Sequence, residues 1–69
     1  MKISYKKLWI LLVERNISQV EFRKKLNIAT GTMTKLRRDE EVALSVLIRI
    51  CNFFDCNIGD ICDVKKEGE

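Results

Sequence analysis

The chain has 69 residues, of which 46% are apolar, and carries a net charge of +3 with three glycines and no proline. Such a chain forms one domain, predicted over residues 1–69, with a thin stability margin because only about 60% of its unfolded surface can be buried. The composition excludes extensive disorder and a turn-rich β-architecture, so we expect an all-α fold. The apolar run 8–13 is too short for a membrane span and no small-residue cleavage site follows it, so we expect a cytoplasmic protein without a secretory signal.

The first predicted helix spans residues 4–15. Its apolar residues Tyr5, Leu8 and Leu12 recur at spacings of three and four, as one face of an amphipathic helix requires. Asn16 then ends the helix, because asparagine tolerates the left-handed backbone conformation.

The second predicted helix starts after Ser18, which forms a capping box with Glu21, so that hydroxyl and carboxylate each satisfy a backbone amide. Phe22 and Leu26, four residues apart, lie on one face of this helix. The helix ends near Asn27, a second residue at which the left-handed conformation is tolerated. It is therefore only about two turns long.

A third short helix is predicted over residues 30–38, after a turn anchored by Ile28. Met33 and Leu36, three residues apart, mark its buried face. The opposite face carries small polar residues, a glycine and basic residues: Thr30, Gly31, Thr34, Lys35 and Arg38.

A polar connector, residues 39–41, leads into a fourth helix. The predicted core face of that helix consists of five apolar residues: Leu44, Leu47, Ile50, Cys51 and Phe54. A last turn of helix follows Asn57, so the sequence predicts five helices, with the C-terminal ones over about 44–63. Residues 65–69 form a polar tail that we expect to be mobile.

Two short helices joined by a tight turn, the second with a polar and basic outward face, describe a helix-turn-helix over about residues 18–38. An α-helix fits the major groove of B-DNA when its neighbours hold it clear of the protein body. Residues 18–38 carry six basic side chains and one acidic, whereas residues 39–69 carry eight acidic and three basic. Like charge gathered in one segment suits a polyanion such as double-stranded DNA, although an uneven solvated surface would give the same count.

Two segments resemble the phage repressor and Cro type of helix-turn-helix regulators: SQVEFRKKLNIATGTMTKLRR, residues 18–38, and VLIRICNFFDCNIGDI, residues 46–61. The resemblance implies a compact five-helix domain similar to that of the lambda repressor, in a sequence-specific and repressor-like transcriptional regulator. Gln19 matches the family's glutamine at the start of the supporting helix, where side chain and helix amides hold a phosphate. Two positions depart from the family pattern, since Arg23 stands where alanine is usual and Asn27 where glycine is usual.

The resemblance also predicts which residues contact DNA. Base readout is expected from Thr30 and Gly31 at the start of the third helix and from Lys35 on the same outward face, with Thr32 and Thr34 beside them. Threonine can donate a hydrogen bond or contact a thymine methyl, glycine permits close approach, and lysine suits guanine. Phosphate contacts are expected from Lys35, Arg37 and Arg38, with Lys6, Lys7, Lys24 and Lys25 as weaker candidates. Pairing with a carboxylate is the alternative for Arg37, and plain solvated surface is the alternative for the weaker candidates.

Two other classes of function fit the sequence less well. An enzyme is not expected, because the chain has no histidine, no phosphate-binding glycine loop and no converging carboxylates; no catalytic residue and no cofactor are predicted. A cysteine-based metal or redox sensor would use Cys51, Cys56 and Cys62. Their spacing is not that of zinc or redox pairs, and cysteine is often a core residue, so no metal ligand is predicted.

A third alternative is a protein-binding module, such as an antitoxin, that uses the same fold to hold a protein partner. Trp9, Ile10, Ile48 and Phe53 stand where polar or small residues would be expected, although core packing is the simpler explanation for Trp9 and Phe53. Exposed apolar patches often mark subunit contacts. Together with the small size of the chain, this surplus predicts a homodimer that contacts successive major grooves of a roughly palindromic site.

Overall fold

The computed structural model describes residues 2–66. This part of the chain is predominantly helical, with a small two-stranded sheet. In chain order the elements are β1 (Lys2–Ser4), α1 (Lys6–Glu14), α2 (Gln19–Leu26), α3 (Thr30–Arg37), α4 (Leu44–Phe54), a 3₁₀ turn (Ile58–Asp60) and β2 (Asp63–Lys65). Within the described residues, no helix has the length and hydropathy that crossing a lipid bilayer would require.

The first four predicted helices lie at the predicted places, and their ends lie within two residues of the predicted ones. α1 begins at Lys6, because the residues before it pair as strand β1. α3 ends at Arg37, and Arg38 is its C-terminal cap. The left-handed conformations predicted at Asn16 and Asn27 are confirmed, with φ angles of 56° and 53°.

Ser18 caps α2, but the predicted reciprocal capping box is only half formed. The backbone N–H of Glu21 donates to Ser18 Oγ at 3.1 Å, as expected. The Glu21 carboxylate, in contrast, accepts from the Ser18 hydroxyl at 3.2 Å rather than from the Ser18 backbone amide. The cap still fixes the first residue of α2 and holds a negative charge near the positive end of the helix.

The fifth predicted helix is not confirmed. Asn57 and Asp60 form a capping box around a 3₁₀ turn of only three residues, with the Asn57 N–H donating to Asp60 Oδ2 at 3.0 Å. β2 follows directly and pairs antiparallel with β1, a sheet that the all-α prediction missed because two strands of three residues carry no local strand pattern. The predicted tail is corrected at Lys65, which is the last residue of β2. Residues 67–69 of that tail lie outside the described residues.

The buried core draws on all four helices, the turn between α2 and α3, and the residue that follows the 3₁₀ turn: Tyr5, Leu8, Leu12, Phe22, Ile28, Met33, Leu36, Leu47, Ile50, Phe54 and Ile61. Stacked rings of Phe22 and Phe54, with centroids 6.1 Å apart, join α2 to α4. The predicted core face of α4 needs one correction. Leu44 is 61% exposed, because no neighbouring element covers the first residue of α4.

The connector between α3 and α4 has a structural role that the sequence analysis did not assign. Asp39, with a left-handed φ of 55°, accepts the backbone N–H of Tyr5 through Oδ1 at 3.0 Å. The hydroxyl of Tyr5 donates to the Glu40 carbonyl at 2.8 Å. Burial raises the pKa of Tyr5 above its usual value, so the phenol stays protonated and keeps this bond. The connector therefore tethers the start of α1 to the end of α3, although the side chains of Glu40 and Glu41 are exposed.

Replacing the acceptor in this tether tests its contribution to stability. In Asp39→Ala the part-buried Tyr5 N–H loses its partner and alanine must adopt a left-handed conformation, so we expect the free energy of unfolding to fall by about 2 kcal/mol. Asp39→Asn keeps both the oxygen and a residue that tolerates this conformation, and should lose less than half as much. Urea unfolding measures both variants. Equal losses would contradict the assignment and point to the carboxylate charge instead.

Candidate nucleic-acid interface

The turn between α2 and α3 is set by three residues. Asn27 adopts the left-handed conformation with φ 53° and ψ 46°, which ends α2. Ile28, only 2% exposed, then inserts into the core, and its N–H donates to the Arg23 carbonyl at 3.0 Å. Ala29 is extended and precedes the first residue of α3. This turn closes the predicted helix-turn-helix and fixes the direction in which α3 leaves it.

α3 is held from one side only. Met33 and Leu36 are fully buried, and they lie against the same core as Phe22 of α2. The residues predicted to contact DNA lie on the rest of the helix surface and at its C-terminal cap: Thr30, Gly31, Lys35, Arg37 and Arg38 are exposed, and Thr32 and Thr34 are half-buried. Their exposure leaves a polar, cationic helix surface open to a partner, as the helix-turn-helix prediction requires.

Two residues near the start of α3 differ in what they offer to a partner. The Thr34 hydroxyl donates to the Thr30 carbonyl at 3.1 Å, so its hydrogen is committed within the helix and its methyl group is left for outside contacts. At Gly31 an added Cβ would meet no atom of the protein within 4 Å. The packing of this chain therefore does not demand glycine at position 31.

Gln19 and Arg37, both predicted to contact DNA, are hydrogen-bonded to each other. Arg37 Nε donates to Gln19 Oε1 at 2.9 Å, joining the start of α2 to the end of α3. The partner of Arg37 is thus a neutral amide and not the carboxylate that was the alternative expectation. Both side chains are exposed, and within residues 2–66 no carboxylate lies within 4.0 Å of the guanidinium. The Arg37 charge is therefore oriented without being neutralised.

The weaker phosphate candidates separate into two groups. Lys7 is engaged elsewhere, since its Nζ donates to the Gly59 carbonyl at 3.0 Å and lies 3.6 Å from an Asp63 carboxylate oxygen. Lys6, Lys24 and Lys25 are exposed and have no ion pair among the described residues. Lys6 on α1 and Lys24 and Lys25 on α2 therefore remain available to an anion, whereas Lys7 does not.

Arg49 is a residue whose role the sequence analysis missed. Its Nη1 donates to the Leu26 carbonyl at 3.1 Å, so a side chain from α4 satisfies a carbonyl in the last turn of α2. A cation at this end of a helix also interacts favourably with the helix dipole. No local signal could have revealed the bond, because the two residues are far apart in the sequence.

The three cysteines are half-buried and pack against the core. Burial raises the pKa of the Cys56 and Cys62 thiols, and the neighbouring Cys51 adds to both increases. Thiols with a raised pKa are poor nucleophiles and poor metal ligands at neutral pH. Within residues 2–66, no group of three or more histidine, cysteine or acidic side chains is placed to hold a metal ion. These findings do not favour the sensor alternative.

Comparisons with known proteins agree with this geometry. The model of a family described as Cro/C1-type helix-turn-helix DNA-binding domain matches residues 7–67. A solved structure, "Crystal structure of transcriptional regulator VanUg, Form II", superposes with a TM-score of 0.92 at 38% sequence identity, covering 96% of this chain and 88% of that chain. No curated protein matches the chain.

Proposed function

This chain belongs to the family of Cro/C1-type helix-turn-helix DNA-binding domains, and we therefore propose that it reads specific DNA sequences through the outward face of α3. It is a DNA-binding transcriptional regulator, and in our proposal it acts as a repressor. The observation that carries the proposal is the two-sidedness of α3, with Met33 and Leu36 fully buried and a polar, basic face exposed. A rigid helix supported from behind can enter the major groove without rearrangement.

Base readout is proposed for the exposed residues in the first two turns of α3. Thr30 and Gly31 lie at the exposed start of the helix, and Lys35 is exposed one turn later on the same face. A lysine can donate to the guanine acceptors O6 and N7. Thr32 and Thr34 are half-buried beside them, and the Thr34 methyl suits a thymine methyl better than a hydrogen-bond acceptor.

Phosphate contact is proposed for Arg38 and for the pair formed by Arg37 and Gln19. A carboxylate at position 19 would hold the guanidinium more strongly, but it would also cancel the charge that attracts a phosphate. A neutral amide on Nε fixes the direction of the side chain and leaves both Nη groups free as donors. The pair thus lowers the entropy cost of ordering Arg37 when an anion arrives.

The remaining features follow from the family and from the size of the domain. We propose a cytoplasmic homodimer that needs no cofactor and performs no catalysis. Two-fold symmetry would place the α3 helices in successive major grooves, with half-sites about 34 Å apart along one face of the duplex.

Two substitutions separate base readout from phosphate contact. Lys35→Ala should reduce discrimination between the preferred site and a mutated site by about 1–3 kcal/mol. Arg38→Ala should instead weaken binding to both DNAs equally and lower the slope of log affinity against log salt by about one. Fluorescence anisotropy on duplexes selected from a random pool, repeated over a salt series, measures both effects. If the two variants behaved identically on every duplex, this division of roles would be wrong.

A charge introduced into the Gln19–Arg37 pair should affect protein stability and DNA binding differently. Gln19→Glu should form an ion pair with Arg37 and leave the free energy of unfolding unchanged or raised by up to about 1 kcal/mol. DNA affinity should nevertheless fall by about tenfold, the equivalent of one charged contact. Gln19→Ala is the matched control, since it removes the orienting bond without adding charge, and should lose less affinity than Gln19→Glu. Wild-type affinity in Gln19→Glu would contradict the proposed contact.

A substitution at Gly31 should also change the stability of the protein and its DNA affinity in opposite directions. Gly31→Ala should raise the free energy of unfolding by about 0.5–1 kcal/mol, because alanine is the better helix former and its Cβ meets no protein atom. The same methyl group should reduce DNA affinity several-fold where the backbone approaches the bases. Thermal unfolding and anisotropy measure the two effects. A variant that is more stable and binds equally well would show that DNA does not approach this residue closely.

A further inference from the structure

α1 is apolar on two sides, and only one of them is covered. Leu8 and Leu12 are buried in the core. On the other side Ile10 is 48% exposed and Val13 is 79% exposed, and with the half-buried Trp9 they line an open apolar groove along the helix. Trp9 packs partly against the core, whereas Ile10 and Val13 are left exposed, and none of these three residues is proposed to contact DNA.

Two opposite charges stand at the ends of this groove. Lys6 and Glu14 complete its lining, one four residues before Ile10 and the other four residues after it. Residues four apart lie on the same face of a helix, so the order along the face is cation, apolar centre, anion. Neither charge has an ion-pair partner within 4.0 Å among residues 2–66. The neighbouring Lys7 is already bound to Asp63 and does not take part.

The order of charges along α1 is self-complementary when a second copy of the helix runs in the opposite direction. If two copies of α1 pack antiparallel with Ile10 at the two-fold axis, Lys6 of each copy faces Glu14 of the partner subunit. A parallel arrangement would instead set like charges side by side. A two-fold interface requires the same patch on both subunits, and this patch satisfies that requirement in apolar surface and in charge.

We propose that α1 is the surface through which two copies of this chain associate, antiparallel and centred on Ile10. This inference identifies the contact surface of the homodimer proposed above. The contact itself does not depend on the proposed function, and only its biological use rests on that function. Three apolar side chains make a small interface, so the free dimer is weak, with a dissociation constant in the micromolar range. In this arrangement Lys6 serves the subunit contact rather than a phosphate.

Two other exposed apolar residues, both on α4, do not offer the same match. Leu44 is 61% exposed and Ile48 is 49% exposed, and they lie one turn apart on α4. Arg49 is the only charged residue of α4, and it is bound to the Leu26 carbonyl. Two copies of this helix face would therefore bring together no opposite charges of their own. Ile48 consequently provides a matched control for a substitution at Ile10.

Sedimentation velocity over a micromolar concentration series tests the inference in the absence of DNA. Lys6→Glu alone and Glu14→Lys alone should each weaken the dimer by at least about tenfold, because each sets like charges together twice across the axis. The double variant, Lys6→Glu with Glu14→Lys, should restore dimerisation. Ile10→Glu should give a monomer, whereas Ile48→Glu should sediment as the wild type does. Circular dichroism confirms that each variant is folded, which is expected because all four positions are exposed.

Three outcomes would overturn the inference: a wild-type chain that stays monomeric, single charge variants that dimerise normally, or dissociation caused by Ile48→Glu rather than Ile10→Glu. Binding of the wild type to a duplex with one half-site, measured in parallel by anisotropy, keeps the two proposals apart. Half-site binding by a monomeric wild type would refute the α1 contact alone. A dimer with the predicted charge dependence that binds no DNA would support the α1 contact and refute the proposed function.

Discussion

The burial of Met33 and Leu36 holds α3 in place, and the other functional features of the domain follow from it. Both side chains are completely enclosed by the core that Phe22 and Phe54 join across α2 and α4. Because an eight-residue helix is marginal by itself in water, α3 owes its stability to this burial rather than to its own hydrogen bonds. The same contact decides which face of α3 is turned outward. Loss of the inner packing would therefore remove the surface on which the function depends.

Some charged side chains of this small domain form bonds within the protein, and others are left to bind a partner. Asp39 accepts the N–H of Tyr5, and Asp63 pairs with Lys7, so these acids act away from the outward face of α3. Arg37 is oriented by an amide. The result is a cationic helix surface that no described carboxylate neutralises. Such an arrangement costs little stability in the free protein, because exposed charges remain hydrated, and it retains the attraction for a polyanion.

Contacts between the two ends of the described chain also stabilise this small domain. Strands β1 and β2 bring the first and last described residues together, and Tyr5 links the start of α1 to the connector after α3. These contacts join residues far apart in the chain, so forming each of them closes a long loop, and burial of the core must offset the entropy that this closure costs. The exposed face of α1 is one part of the apolar surface that this closure leaves uncovered, and it is the part that we propose a second subunit covers.

Local sequence patterns predict the four helices, the caps at Ser18, Asn16 and Asn27, the inward residues of α3 and the polar face opposite them. Each of these features is set by side chains within about four residues of one another, through helical periodicity or a backbone hydrogen bond. Four other features arise only when the chain folds: the pairing of β1 with β2, the bond between Gln19 and Arg37, the tether from Asp39 and the exposure of Leu44. These depend on which distant segments meet once the core has formed. No local sequence pattern indicates these features, because the partner of each group lies on another element.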